Sequence, residues 1–90
     1  MSSLMLAYGR LTGCLNTPMS IRPMLLADAI DHLRAAGESA IMWEAKSLLI
    51  DTQAYDQAKD EAMTVHASLA HRYIRIHELV RQSGQFASVA

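Results

Sequence analysis

Between Gln53 and Gln82 the chain runs about thirty residues without a proline or a glycine. Apolar residues recur there at Tyr55, Ala58, Ala62, Val65, Leu69, Tyr73, Ile76 and Val80. Steps of three and four are the period of an α-helix with one buried face, so this stretch predicts a long amphipathic helix that needs something to pack against.

Upstream, the pattern predicts two shorter helices. Ser20 is a good N-cap, and Pro23 falls in the first turn, where a missing N–H is tolerated. Leu26, Ala29, Ile30 and Leu33 form a buried stripe, with Asp28, Asp31, His32 and Arg34 on the wet side. Gly37 supplies the left-handed residue that ends the helix. The next helix opens at Glu38 or Ser39 and reaches about Ile50. Its main apolar arc is Ile41, Met42, Ala45, Leu48 and Leu49. Trp43 and Ile50, seven residues apart, stack on roughly the opposite side. Asp51 or Thr52 is expected to break the chain before the long helix, because a compact bundle then forms.

Residues 1–19 form an N-terminal arm or short helix. Leu4, Leu6 and Tyr8 alternate like a strand, whereas Leu4, Leu11 and Leu15 fit a helix face, and Gly9 and Gly13 weaken both readings. Asn16-Thr17-Pro18 reads as a turn. The tail, residues 83–90, carries a glycine stop and small residues and is expected to fray. The expectation is a single all-α domain over residues 1–90, a bundle of three or four helices with the long C-terminal helix as its spine. Ninety residues hold one core and leave little stability in reserve, so self-association or a partner would help.

An apolar fraction of 51% is too high for a disordered chain. A net charge of −1 supplies no strong electrostatic argument for nucleic acid and excludes a heavily acidic surface. The single cysteine, Cys14, forms no internal disulfide, so the fold requires no oxidising compartment. The first residues lack a basic leader region, and no stretch approaches the roughly 18 apolar residues that span a bilayer. The expected location is cytoplasmic, with no membrane association.

Four histidines are the first candidates for chemistry: His32, His66, His71 and His77. Metal ligands on one helix converge at a spacing of three or four. Here His66 and His77 share a face, but eleven residues give about 16 Å of rise, too far for one ion. Both lie along the edge of the apolar stripe, either flanking a core seam or serving as interface residues that charge between about pH 6 and 7. Cys14 reads as a small buried hydrophobe rather than a nucleophile. The sequence thus predicts no metal, no cofactor and no catalytic residue.

Two binding readings follow. The favoured one is a protein–protein interaction module: an adaptor, chaperone-like subunit or inhibitor of a larger protein. It rests on excess apolar helix surface in so short a chain, with homodimerisation through the long helix as the simplest cover. Small accessory proteins of bacteria and their viruses are often of this type. The contact residues it names are Trp43, Ile50, His66, Leu69, Tyr73, Ile76, His77 and Val80. The alternative is a small DNA-binding regulator using a helix-turn-helix-like pair within residues 20–50. That pair offers Lys46 but also Glu38, Glu44 and Trp43, which is poor phosphate chemistry, and the better cations are Arg72, Arg75 and Arg81. Trp43 is either an exposed anchor or a tryptophan shared between packed helices.

Overall fold

The computed structural model describes residues 2–57 and 62–86. Over these it is all α: α1 (Ser3–Leu15), α2 (Arg22–Ala35), α3 (Ser39–Gln57) and α4 (Ala62–Gly84). Ala58 of the predicted stripe and the tail residues 87–90 lie outside the described residues. No helix among the described residues is long and apolar enough to cross a membrane.

Side-chain pairs fix the helix directions. Arg10 meets Asp28 and Cys14 meets Arg22, so α1 and α2 run antiparallel. Thr12 meets His77 and Tyr8 meets Phe86, which sets α4 antiparallel to α1. Glu44 pairs with Arg75 and Thr52 with Tyr73, which sets α3 antiparallel to α4. The result is an up-down-up-down bundle in which α4 closes back on α1, as short connections favour. Among the described residues each helix packs on two neighbours, and the diagonal pairs stay apart at the backbone. Side chains fill the middle. The stripe predicted for α2 (Leu26, Ala29, Ile30, Leu33) and four of the five residues predicted for α3 (Ile41, Met42, Ala45, Leu48) are buried there with Leu69, Tyr73, Ile76 and Val80 of α4, while Leu49 is half-buried at the edge.

The N-terminal segment is a regular helix. Ser2 caps it by accepting from the Met5 N–H, and Ala7, Leu11 and Cys14 turn inward. The strand-like alternation of Leu4, Leu6 and Tyr8 is therefore incidental.

Three boundaries depart from expectation. Ser20 does not cap α2. Instead Pro18–Ile21 forms a turn, with Ile21 N–H donating to the Pro18 carbonyl, and the helix begins at Arg22 behind Ile21 with no side-chain cap. Neither Asp51 nor Thr52 breaks the chain, since α3 continues to Gln57. The Thr52 hydroxyl donates to the Leu48 carbonyl (2.8 Å) and lies 3.0 Å from the Tyr73 hydroxyl, so a residue that reads as a cap is a satisfied core residue. Gln53 and Tyr55 accordingly belong to α3, and the long helix is shorter than its periodicity implies.

The C-termini of α2 and α4 close in Schellman turns. At α2, Gly37 takes φ 76° and the Glu38 N–H reaches the Leu33 carbonyl. At α4 the left-handed residue is Gln85 (φ 54°), one past the expected glycine stop, and the Phe86 N–H reaches the Arg81 carbonyl. A Cβ at Gly84 would run into the Phe86 ring, so any larger residue there would have to displace that ring. Phe86 packs on the core, so the frayed tail does not begin at residue 83.

Candidate protein-interaction surface

The face of α3 opposite its buried arc carries the largest exposed apolar side chains on that helix. Trp43 is 63% exposed and Ile50 65%. On a helix of 3.6 residues per turn they stand two turns apart on one side, away from Ala45, Leu48 and Thr52. The Lys46 ammonium lies 4.6 Å from the Trp43 ring centroid, which orients the indole through a cation–π contact. The α1 helix makes no backbone contact with α3 among the described residues, so the N-terminal segment does not cover Trp43.

Beside this face runs a groove between α3 and α4, lined by Glu44, Ser47, Arg72, Arg75 and Ile76. Two ion pairs bridge it: Arg72 with Asp51, and Arg75 with Glu44 at 3.2 Å. Arg81 pairs with Glu78 and donates to the Phe86 carbonyl. All three arginines of the predicted basic patch are thus engaged with carboxylates of the same chain.

The remaining predicted contact residues go elsewhere. Leu69, Tyr73, Ile76 and Val80 are almost wholly buried in the chain's own core. The stripe that suggested a dimer through the long helix faces α1 and α3 of the same molecule and is not available to a second chain. His66 is exposed and meets Tyr55 edge-on, with ring centroids 6.0 Å apart. His77 sits in the α1–α4 seam. Its Nε2 is 2.9 Å from the Thr12 hydroxyl, and its ring stacks on Tyr8 at 4.6 Å.

Burial lowers the His77 pKa; Glu78 opposes that shift and Arg81 adds to it. An unfolded histidine titrates near about 6.5. In the interval below that value the unfolded chain binds the extra proton and the folded chain resists it. The stability His77 contributes is therefore present above about pH 6.5 and lost as the pH falls through its lowered folded pKa. Urea midpoints are expected to fall between about pH 7 and pH 5, and His77→Gln should flatten that part of the profile. Identical slopes for the two proteins would contradict the assignment.

A second polar group lies inside the bundle. The Arg22 guanidinium lies 5.0 Å from the Tyr73 ring centroid, and its Nε donates to the Thr17 carbonyl. Its Nη1 is buried without a hydrogen-bond partner among the described residues, as is the Tyr8 hydroxyl. Cys14 is fully buried, its Sγ 3.9 Å from the Arg22 carbonyl. Burial pushes its thiol up to about 11, despite the nearby Arg22 charge, so it stays protonated and unreactive at neutral pH. Among the described residues no three side chains of His, Cys, Asp or Glu converge to hold a metal ion.

Sequence reasoning missed the ion-paired rim, because Glu44 and Arg75 are 31 residues apart and Asp51 and Arg72 are 21 apart. It also passed over Ala40 and Ala54, which are exposed on the same helix as Trp43 and Ile50. Their spacing in steps of three and four was available to find them. No protein-family model matches the chain, no curated protein matches it in sequence, and no solved structure matches its fold.

Proposed function

We propose that the protein is a small helical interaction module that docks on another polypeptide through the outer face of α3, with Trp43 as the anchor and Ile50 as its neighbour. One observation carries the reading: a 63%-exposed tryptophan, set in place by Lys46, stands on a helix whose opposite side is already committed to the core. Tryptophan is among the residues that dominate binding energy when a partner desolvates it. The ion-paired rim supports a protein partner over DNA. Arg72, Arg75 and Arg81 are neutralised within the chain, and the outward face of α3 offers Lys46 against Glu44 and Asp51.

Trp43→Ala is expected to leave the melting temperature nearly unchanged and to weaken association by about 2 kcal/mol or more. Ile74→Ala is the matched control, since Ile74 is comparably exposed (55%) but lies on α4. The measurement is retention of partners from a native-host extract by tagged wild type, Trp43→Ala and Ile74→Ala. Tryptophan fluorescence supplies an independent reading. The monomer should emit as an exposed indole open to quenchers and shift blue on binding. A blue, quencher-protected emission from a confirmed monomer would overturn the proposal, as would equal retention by wild type and Trp43→Ala.

A further inference from the structure

The exposed residues Ala40, Trp43, Ser47, Ile50 and Ala54 of α3 follow one another in steps of three, four, three and four. That is the heptad seam of a coiled coil. The seam lies opposite the buried arc of α3 and stays exposed, although the Ser47 hydroxyl at its edge accepts from Arg72 Nη2 of α4 at 3.4 Å. Its sizes alternate: small at 40, 47 and 54, large at 43 and 50.

We infer that the partner of this face is a second copy of the chain, packed through α3 against α3 in antiparallel sense about a two-fold axis between residues 48 and 49. This rests on the proposed function, whose docking face it assigns to an occupant. A two-fold axis makes an interface isologous, so every contact is made twice with its members exchanged. With the axis at that level, Trp43 faces Ala54 of the other copy and Ile50 faces Ser47. Each of these layers then sets a large side chain against a small one, the arrangement that fills space without voids or overlap. A parallel pairing would set Trp43 against Trp43 and Ala54 against Ala54, alternately overfilling and emptying the seam.

The charges agree with the same pairing. On one flank Lys46 comes opposite Gln53, which carries no charge. On the other, Glu44 comes opposite Asp51, and both carboxylates arrive already held by Arg75 and Arg72. Four carboxylates and four guanidinium groups share that rim in the dimer, so no like-charge pair is left uncompensated. The net charge of −1 per chain adds little repulsion between copies.

The seam is short. From residue 40 to 54 it covers about 21 Å of helix. That is less than a standard interface patch, so the dimer should form and dissociate within the micromolar-to-millimolar range.

The experiment is sedimentation equilibrium over that range on the full chain and three variants: Trp43→Ala, Ala54→Trp and the double variant. All substituted positions are exposed, so folding should survive, and circular dichroism checks it. Trp43→Ala should raise the dissociation constant about thirty-fold or more. Ala54→Trp should abolish the dimer by setting a second indole against Trp43 of the other copy. The double variant exchanges large for small at facing positions and should restore association to within about tenfold of wild type. A double variant no better than either single, or a dimer indifferent to Trp43→Ala, overturns the pairing. A wild type that stays monomeric at millimolar concentration overturns self-association altogether. In that case capture of a host protein that depends on Trp43 would still uphold the proposed function, whereas its absence would remove both.

Discussion

Leu69→Asp is expected to unfold most of the protein at room temperature. Leu69 is 2% exposed and opens the buried run of α4 that continues through Tyr73, Ile76 and Val80. The substitution removes its packing and places a carboxylate inside an apolar core. An unpaired buried carboxylate costs several kcal/mol or is forced to take up a proton. Domains of this size have total stabilities of about 5–15 kcal/mol, so little remains. Arg75→Ala is the contrast, since Arg75 and Glu44 form an exposed pair, and its effect should stay within about 0.5 kcal/mol. Urea titration followed by far-ultraviolet circular dichroism compares the two. Equal displacement of their midpoints would mean that the orientation of α4 is wrong.

Tyr73→Ala should be nearly as damaging, by a different route. Tyr73 is the largest fully buried side chain among the described residues, and three helices use it: it packs the core from α4, its hydroxyl meets Thr52 of α3, and its ring lies beneath Arg22 of α2. Truncation leaves a cavity and costs about 3–5 kcal/mol. It also takes away the face over which the Arg22 guanidinium is held. Tyr73→Phe keeps the ring and removes only the hydroxyl. The Thr52 hydroxyl still donates to Leu48, so about 1 kcal/mol should be lost. The difference between the two variants, measured as the ratio of folded to unfolded protein in urea, separates packing from hydrogen bonding at one position. Near-equal losses would show that the hydroxyl pair dominates.

These two expectations stand on different amounts of sequence information. Leu69 and its neighbours Tyr73, Ile76 and Val80 could be assigned to a buried face from their spacing alone, because helical burial leaves a local, periodic trace. Gly37 could be assigned as the end of α2 because a left-handed residue before a new apolar run is a local signal. The partners of Tyr73 could not. Thr52 reads as a cap by residue type, and only a contact 21 residues away makes it part of the core. The same applies to His77, which lies at the edge of the stripe in sequence but is held by Thr12, 65 residues distant. For the surface, Trp43 and Ile50 were legible as facing away from the main arc. Which side of the bundle the long helix turned toward its own chain was not, because an amphipathic face carries no mark of whether its cover is internal or external.

The closure of α4 on α1 bears on the order in which the molecule assembles. Three of its four helix interfaces join helices that follow one another in the chain, and each can form by closing a short hairpin. The fourth joins the two ends, and its contacts between Tyr8, Thr12, His77 and Phe86 require almost the whole chain to be in place. The entropy of closing a long loop is offset only after those contacts exist, so this seam forms late. Late contacts are mostly absent from the folding transition state, and weakening them mainly speeds unfolding while leaving the folding rate nearly alone. The α1–α4 seam, where burial lowers the His77 pKa, is therefore expected to act as the latch that sets how long the folded molecule persists, and protonation of His77 in mild acid is expected to shorten that time.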